Sequence, residues 1–195
     1  MNSDYLKLVE YLNKLNIENK IIEELIKVYK LKKYKKYECF AAEGQMVDKV
    51  GFIIEGLFYM YNIKSDGSLF VKQFITNGQF LLATLNPLKE SSVYIKSVCN
   101  ATILEAKYSE VLSIIKKYPE LEKLSQERTE TEIDAISDRL RQFGTICAEE
   151  RYLLFKQNYG DLEQKVPQYL VSAYLGITPT HLSRIKTKQT NHFSL

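Results

Sequence analysis

Histidine and cysteine are scarce in this chain, and each shortage excludes a class of chemistry. Only two histidines occur in 195 residues, His181 and His192, both near the C-terminus. A metal-dependent enzyme site needs two or three imidazoles with a carboxylate, and residues 37–104 contain no histidine. The three cysteines, Cys39, Cys99 and Cys147, are odd in number and far apart. That argues against a disulfide framework and against a CxxC metal knuckle. The expectation is three reduced, packed thiols, with Cys147 on a helix seam. No apolar run approaches the ~20 residues of a membrane span, and the first residues lack a signal-peptide pattern. Asp4 to Val28 instead mix charges with helically spaced Leu6, Val9, Leu12 and Leu15. The expected location is the cytoplasm, with no membrane partner. Acidic residues are also missing from one end, for no Asp or Glu follows Glu163.

What is present is the composition of a soluble globular protein, 45% hydrophobic and 26% charged. The length allows one large domain or two small ones, each with a real core. The charge is uneven. Lys165, Arg184, Lys186 and Lys188 make the tail +4 in a chain whose total is +3.

The stretch from Gln168 to Lys186 reads as two short helices joined by a tight turn at Gly176. Leu175, Ile177, Leu182 and Ile185 fall where such a pair buries its contacts, and Ser172 is small enough for close helix packing. Thr178 can cap the second helix, and Pro179 fits its first position, where a missing N–H costs nothing. This is a helix-turn-helix pattern, whose second helix usually enters the major groove of DNA. An ordinary helical hairpin packing a core is the alternative. With Leu182 and Ile185 turned inward, Thr180, Ser183, Arg184 and Thr187 share one stripe at i, i+3, i+4 and i+7. Short hydroxyls and a guanidinium are groups that reach base edges and phosphates. The candidate DNA-binding residues are therefore Thr178, Thr180, His181, Ser183, Arg184 and Lys186. His181 fits equally well as a satisfied rim residue.

Upstream the pattern changes twice. Ser3 to Lys33 reads as one or two helices broken around Asn16–Asn19, and the basic run Lys32–Lys36 leads into a first strand. From Tyr37 to Leu104 the chain is rich in β-branched and aromatic residues, with turn signals at Glu43-Gly44, Glu55-Gly56, Asp66-Gly67 and Asn77-Gly78. Asp66-Gly67 between two strand-like runs is a hairpin signal. Strands at this spacing without intervening helices suggest an antiparallel roll or barrel. Helical sequence resumes near Tyr108, and Pro119 opens a long helix running to about Cys147. In it Ile133, Ile136, Leu140, Phe143 and Cys147 repeat in steps of 3, 4, 3 and 4, a heptad seam. The seam could pack on its own domain; a dimer is favoured because a helix-turn-helix gains affinity from a second copy on a symmetric site. A further helix follows from Ala148 to Lys156, and a break from Asn158 to Asp161.

Helix, strand roll, long helix and terminal helix-turn-helix form an order that resembles the Crp/Fnr family of bacterial transcription regulators over nearly the whole chain. The segments carrying the resemblance are Ala148-Glu-Glu-Arg-Tyr152, Val166-Pro-Gln-Tyr-Leu170 and Leu175-Gly-Ile-Thr-Pro-Thr-His-Leu-Ser-Arg-Ile185, similar to the version common in Bacteroidetes. The resemblance implies an α+β fold. Residues 1–117 would form an antiparallel β-roll with flanking helices, a cyclic-nucleotide-binding-like jelly roll acting as sensor. Residues 118–147 would form a dimerisation helix and 148–195 a helix-turn-helix domain. It further implies a homodimer on double-stranded DNA; activation would add RNA polymerase as a partner, and the roll either senses an unidentified small-molecule effector or serves only as a scaffold.

The departures from the family pattern matter as much. Members that bind cyclic AMP use a Gly-Glu pair and then an Arg-Ser/Thr pair. Here Gly78-Gln-Phe-Leu-Leu-Ala-Thr84 and Glu90-Ser-Ser-Val93 place Ala83 where the glutamate is expected and Ser91 where the arginine is expected. A phosphate held without that guanidinium loses a charge-assisted contact, so cyclic AMP is not expected and no cofactor is predicted. The iron–sulfur branch needs clustered N-terminal cysteines, and haem sensing generally needs a ligand such as histidine in the sensor. In the reading helix Pro179 stands where some members carry a guanine-reading arginine and Thr180 where they carry a glutamate, while Arg184 keeps the second arginine. Two other readings are a cyclic-nucleotide regulator with a rearranged pocket and a small cupin-like metal enzyme. Against the latter stands the missing histidine of residues 37–104, so no enzyme is expected.

Overall fold

The computed structural model describes residues 3–192. Met1, Asn2 and residues 193–195, which the predicted first and third segments include, lie outside that range. The order is α1 (Ser3–Lys14), α2 (Asn19–Val28), β1 (Lys30–Tyr34), β2 (Cys39–Ala41), β3 (Val50–Glu55), β4 (Leu57–Ile63), β5 (Leu69–Thr76), β6 (Phe80–Leu82), β7 (Tyr94–Ser97), β8 (Ala101–Ala106), α3 (Tyr108–Lys117), α4 (Pro119–Thr145), α5 (Ala148–Tyr159), α6 (Leu162–Lys165), α7 (Gln168–Leu175) and α8 (Pro179–His192). The chain forms two compact units. One comprises Met1–Asn62 with Gln73–Glu130, the other Ile63–Lys72 with Thr131–Leu195.

In the first unit two four-stranded sheets, β1-β8-β3-β6 and β2-β7-β4-β5, form an antiparallel roll. Period-2 alternation on the central strands lets each side chain row serve a different core. Phe52 and Ile54 of β3 and Leu104 of β8 face α1, α2 and α3, joining Leu8, Ile21 and Leu25. Their neighbours Ile53 and Ile103 point into the roll, beside Phe40, Phe58, Ile75, Leu81 and Ile95. The predicted hairpin forms at Asp66-Gly67, where the Asp66 carboxylate accepts the Ser68 N–H at 2.9 Å and its hydroxyl at 2.7 Å. Such local side-chain bonds are why Asp opens turns.

Three expectations need correction. Lys30–Tyr34 is a strand, not the end of a helix. Its lysines suit a helix, but pairing with β8 from Lys30↔Glu105 to Tyr34↔Ala101 overrides that local preference. Second, α4 stops at Thr145. Cys147 is instead the N-cap of α5, its N–H donated to the Glu150 carboxylate at 2.8 Å. Third, all three cysteines are exposed rather than packed. Among the described residues no helix is long and apolar enough to cross a membrane.

Candidate nucleic-acid interface

The second unit holds the helix-turn-helix. Gly176 ends α7 in the left-handed conformation, φ 70° and ψ 31°, and donates its N–H to the Ser172 carbonyl. Glycine is favoured there because a Cβ would clash with its own carbonyl. Two residues on, the Thr178 hydroxyl accepts the His181 N–H at 3.2 Å, so Thr178 caps α8 and Pro179 occupies its first position. Leu175, Leu182 and Ile185 are fully buried and so is Ser172, while Ile177 is half-buried. Anchored this way, α8 leaves Thr180, His181, Ser183, Arg184 and Thr187 exposed, together with Thr178. The Thr187 hydroxyl donates to the Ser183 carbonyl at 3.1 Å, and none of these exposed residues is acidic.

Lys186 departs from the expected set. Its ammonium lies 2.6 Å from the Glu163 carboxylate, with 26% of the lysine side chain and 16% of the glutamate's exposed. The same carboxylate accepts the Tyr152 hydroxyl at 2.8 Å. Burial pushes the Glu163 carboxyl up, but its bonds to Lys186 and Tyr152 outweigh that and hold it below the ordinary range. Lys186 therefore braces α8 against α5 and α6. Lys188 sits 3.4 Å from Glu149 in a more exposed pair. Among the described residues Arg184 makes no ion pair, which leaves it the cation of the exposed stripe able to take a new anionic partner.

On α4 the seam residues separate. Ile133, Ile136 and Leu140 are 56%, 59% and 67% exposed, an apolar stripe open to a partner. Phe143 turns away from them, toward Gly176 at the end of α7. A Cβ on Gly176 would lie 2.7 Å from its ring, and Phe70 of the hairpin tip packs 5.8 Å from it. The guanidinium groups of Arg139 and Arg151 lie 5.6 and 5.1 Å from the same ring. Arg139 does not stand out in the sequence, since an arginine within a charged helix reads as solvated, and Arg151 is marked there only as part of the Ala148–Tyr152 segment.

In the roll, Ser91 and Ala83, the two positions that the sequence resemblance singled out, are committed to the fold. Ser91 is 2% exposed. Its hydroxyl donates to the Val93 carbonyl at 2.7 Å and accepts the Val93 N–H at 3.2 Å. Ala83 packs against the inner apolar cluster.

No known protein-family profile matches the chain, and no curated protein does. Solved structures do. FixK2 from Bradyrhizobium japonicum superposes with a TM-score of 0.75 at 18% identity, covering 85% of this chain and 86% of that one. The c-di-GMP-responsive global regulator CLP of Xanthomonas campestris gives 0.71 at 11% identity, covering 90% and 93%. A transcriptional regulator of the Crp/Fnr family from Eubacterium rectale gives 0.71 at 12%, covering 90% and 85%. The chain has the fold of a Crp/Fnr-type regulator, a β-roll followed by a C-terminal helical domain.

Proposed function

We propose that this protein is a sequence-specific DNA-binding transcription regulator acting as a homodimer in the cytoplasm, and not an enzyme. The observation that carries the reading is the α8 face: a capped helix, anchored by Leu182 and Ile185, that presents Thr180, His181, Ser183 and Arg184 with no acidic group among them. Residues 1–117 serve as the sensor, 118–147 as the dimer helix and 148–195 as the reader. Thr178, Thr180, His181, Ser183 and Arg184 approach the DNA, and Lys186 supports them through Glu163. Ile133, Ile136 and Leu140 form the dimer seam, supported by their exposure on α4. A symmetric dimer doubles a cation count that is modest for one copy. RNA polymerase is the further partner that transcription control requires.

The sensor does not take cyclic AMP. Support comes from Ser91, whose hydroxyl is spent on its own turn, and from the missing guanidinium, without which a phosphate has no bidentate partner.

The decisive experiment selects bound duplexes from a random pool and then titrates the winner in gel shifts with wild type and R184A. A palindrome is expected. R184A should weaken specific binding by about 1–3 kcal/mol, the value of a bidentate base contact, with less discrimination at one base pair of each half-site. Equal affinity and preference for both proteins would remove Arg184 from the interface.

A further inference from the structure

Arg139 has a role that neither its sequence context nor the reader's exposed face announces. One nitrogen, Nη2, donates to two backbone carbonyls from distant parts of the second unit, Val71 in the hairpin tip at 2.6 Å and Tyr174 near the end of α7 at 2.8 Å. The guanidinium lies 3.9 Å from the centre of the Tyr174 ring and 5.4 Å from that of Phe70. Its Nη1 is buried without a hydrogen-bond partner. Burial holds the group below its ordinary pKa, although a guanidinium remains charged at any physiological pH. Keeping a cation desolvated among aromatic rings is costly unless its bonds are retained. Its two carbonyl bonds join α4 to the hairpin tip and to the first helix of the reader. Arg151 makes a parallel attachment, donating to the Leu175 carbonyl at 3.2 Å and the Ile146 carbonyl at 2.7 Å.

We infer that Arg139 is a positioning residue: by clamping the Tyr174 and Val71 carbonyls to α4 it sets the angle of the reader to the dimer helix, and so the half-site spacing the dimer accepts. The inference rests on the homodimeric reading above. Its geometry follows from the place of Arg139 on α4, beside the exposed Leu140 of the seam. A reader fixed to α4 presents α8 at one separation from its twofold mate, whereas a loosened reader accommodates several. Arg139 itself touches no DNA. Its loss leaves no carboxylate stranded, because the groups that lose a partner are two carbonyls.

The test uses the full-length chain and the variant R139M, which keeps an apolar stem among the rings. Amide hydrogen exchange should accelerate at least tenfold in both 69–72 and 174–178, while strand 50–55 is unchanged. The selected operator is then rebuilt with its half-sites moved apart or together by one to three base pairs. Wild-type affinity should fall at least tenfold for one base pair of change, R139M affinity less than threefold. Binding to a single half-site should stay within twofold in both proteins. Spacer dependence as steep as wild type overturns the positioning role, and so does a single-site affinity that falls in step. Unchanged exchange overturns the clamp. A wild-type protein that selects no DNA overturns the reader and the spacing role together, and exchange then reports on the clamp separately. Should R139M fail to fold, R139K takes its place. It keeps the cation without the fork, and should lose less than tenfold for one base pair of change, whereas spacer dependence as steep as wild type overturns the positioning role.

Discussion

Gly176 and Glu163 show how single residues hold the helix-turn-helix. At Gly176 two costs coincide, a left-handed backbone and the Phe143 ring 2.7 Å from any Cβ. Gly67 offers a comparison, with φ +80° and nothing within 4 Å of its Cβ position. G67A should pay only the backbone cost, about 1–2 kcal/mol. G176A should pay that and, for the displaced ring, about 1 kcal/mol or more besides. Urea melts of the two variants measure the difference, and equal losses would show the ring to be irrelevant. Glu163 adds a pH dependence. Although burial raises its carboxyl, Lys186 and Tyr152 lower it further, so the folded value lies below the ordinary 4.5. Its stabilising contribution is then complete above that value and lost as the pH falls through the lower folded one. E163Q should be less stable near neutrality and show a flatter acid limb below pH 4.5 in denaturant melts. Parallel acid limbs in the two proteins would contradict the pairing.

Among the elements, α4 carries an open apolar stripe and β1 has the least expected identity. The stripe Ile133, Ile136 and Leu140 puts three large apolar side chains into water on one helix, an arrangement that favours a second copy. A charge placed in that seam is desolvated without a partner when the helices meet, at about 3 kcal/mol or more. L140E should therefore weaken self-association by at least ~100-fold, read by sedimentation equilibrium, with an unchanged far-ultraviolet spectrum. A variant that remains dimeric at micromolar concentration would place the interface elsewhere. β1 shows why periodicity alone misleads on a short segment. Lys30 to Tyr34 has one buried residue, Tyr34, so no alternation signals a strand. The strand exists because β8 supplies its hydrogen bonds and because Lys32 meets Glu105 at 3.5 Å across the pair.

For the whole molecule, the proposed sensor role turns on how the interior of the roll is filled. Its interior is packed with Phe40, Phe58, Ile75, Leu81 and Ile95, and Ser91, the position that the resemblance to the Crp/Fnr family matches to a phosphate-binding arginine, is buried. Isothermal titration with cyclic AMP and cyclic GMP at millimolar ligand should give no binding heat. A saturable heat with either would establish a rearranged pocket and restore the cyclic-nucleotide reading.

Much of this architecture was legible from local signals alone. Turn chemistry at Asp66-Gly67, the cap at Thr178, the glycine at 176 and the inward pair Leu182 and Ile185 each act over a few residues. The chain order therefore determines them without knowledge of the rest. The helix-turn-helix and the succession of roll and long helix follow from such signals. Only the tertiary structure decided that Lys30–Tyr34 pairs as a strand, that Phe143 leaves the seam for Gly176, that Lys186 braces α8 through Glu163, and that Arg139 clamps Val71 and Tyr174. In each case the deciding partner is distant in sequence, from 23 residues for Lys186 and Glu163 to 75 for Lys30 and Glu105. A short-range pattern carries no information about which long-range partner will supply a carboxylate, a carbonyl or a neighbouring strand.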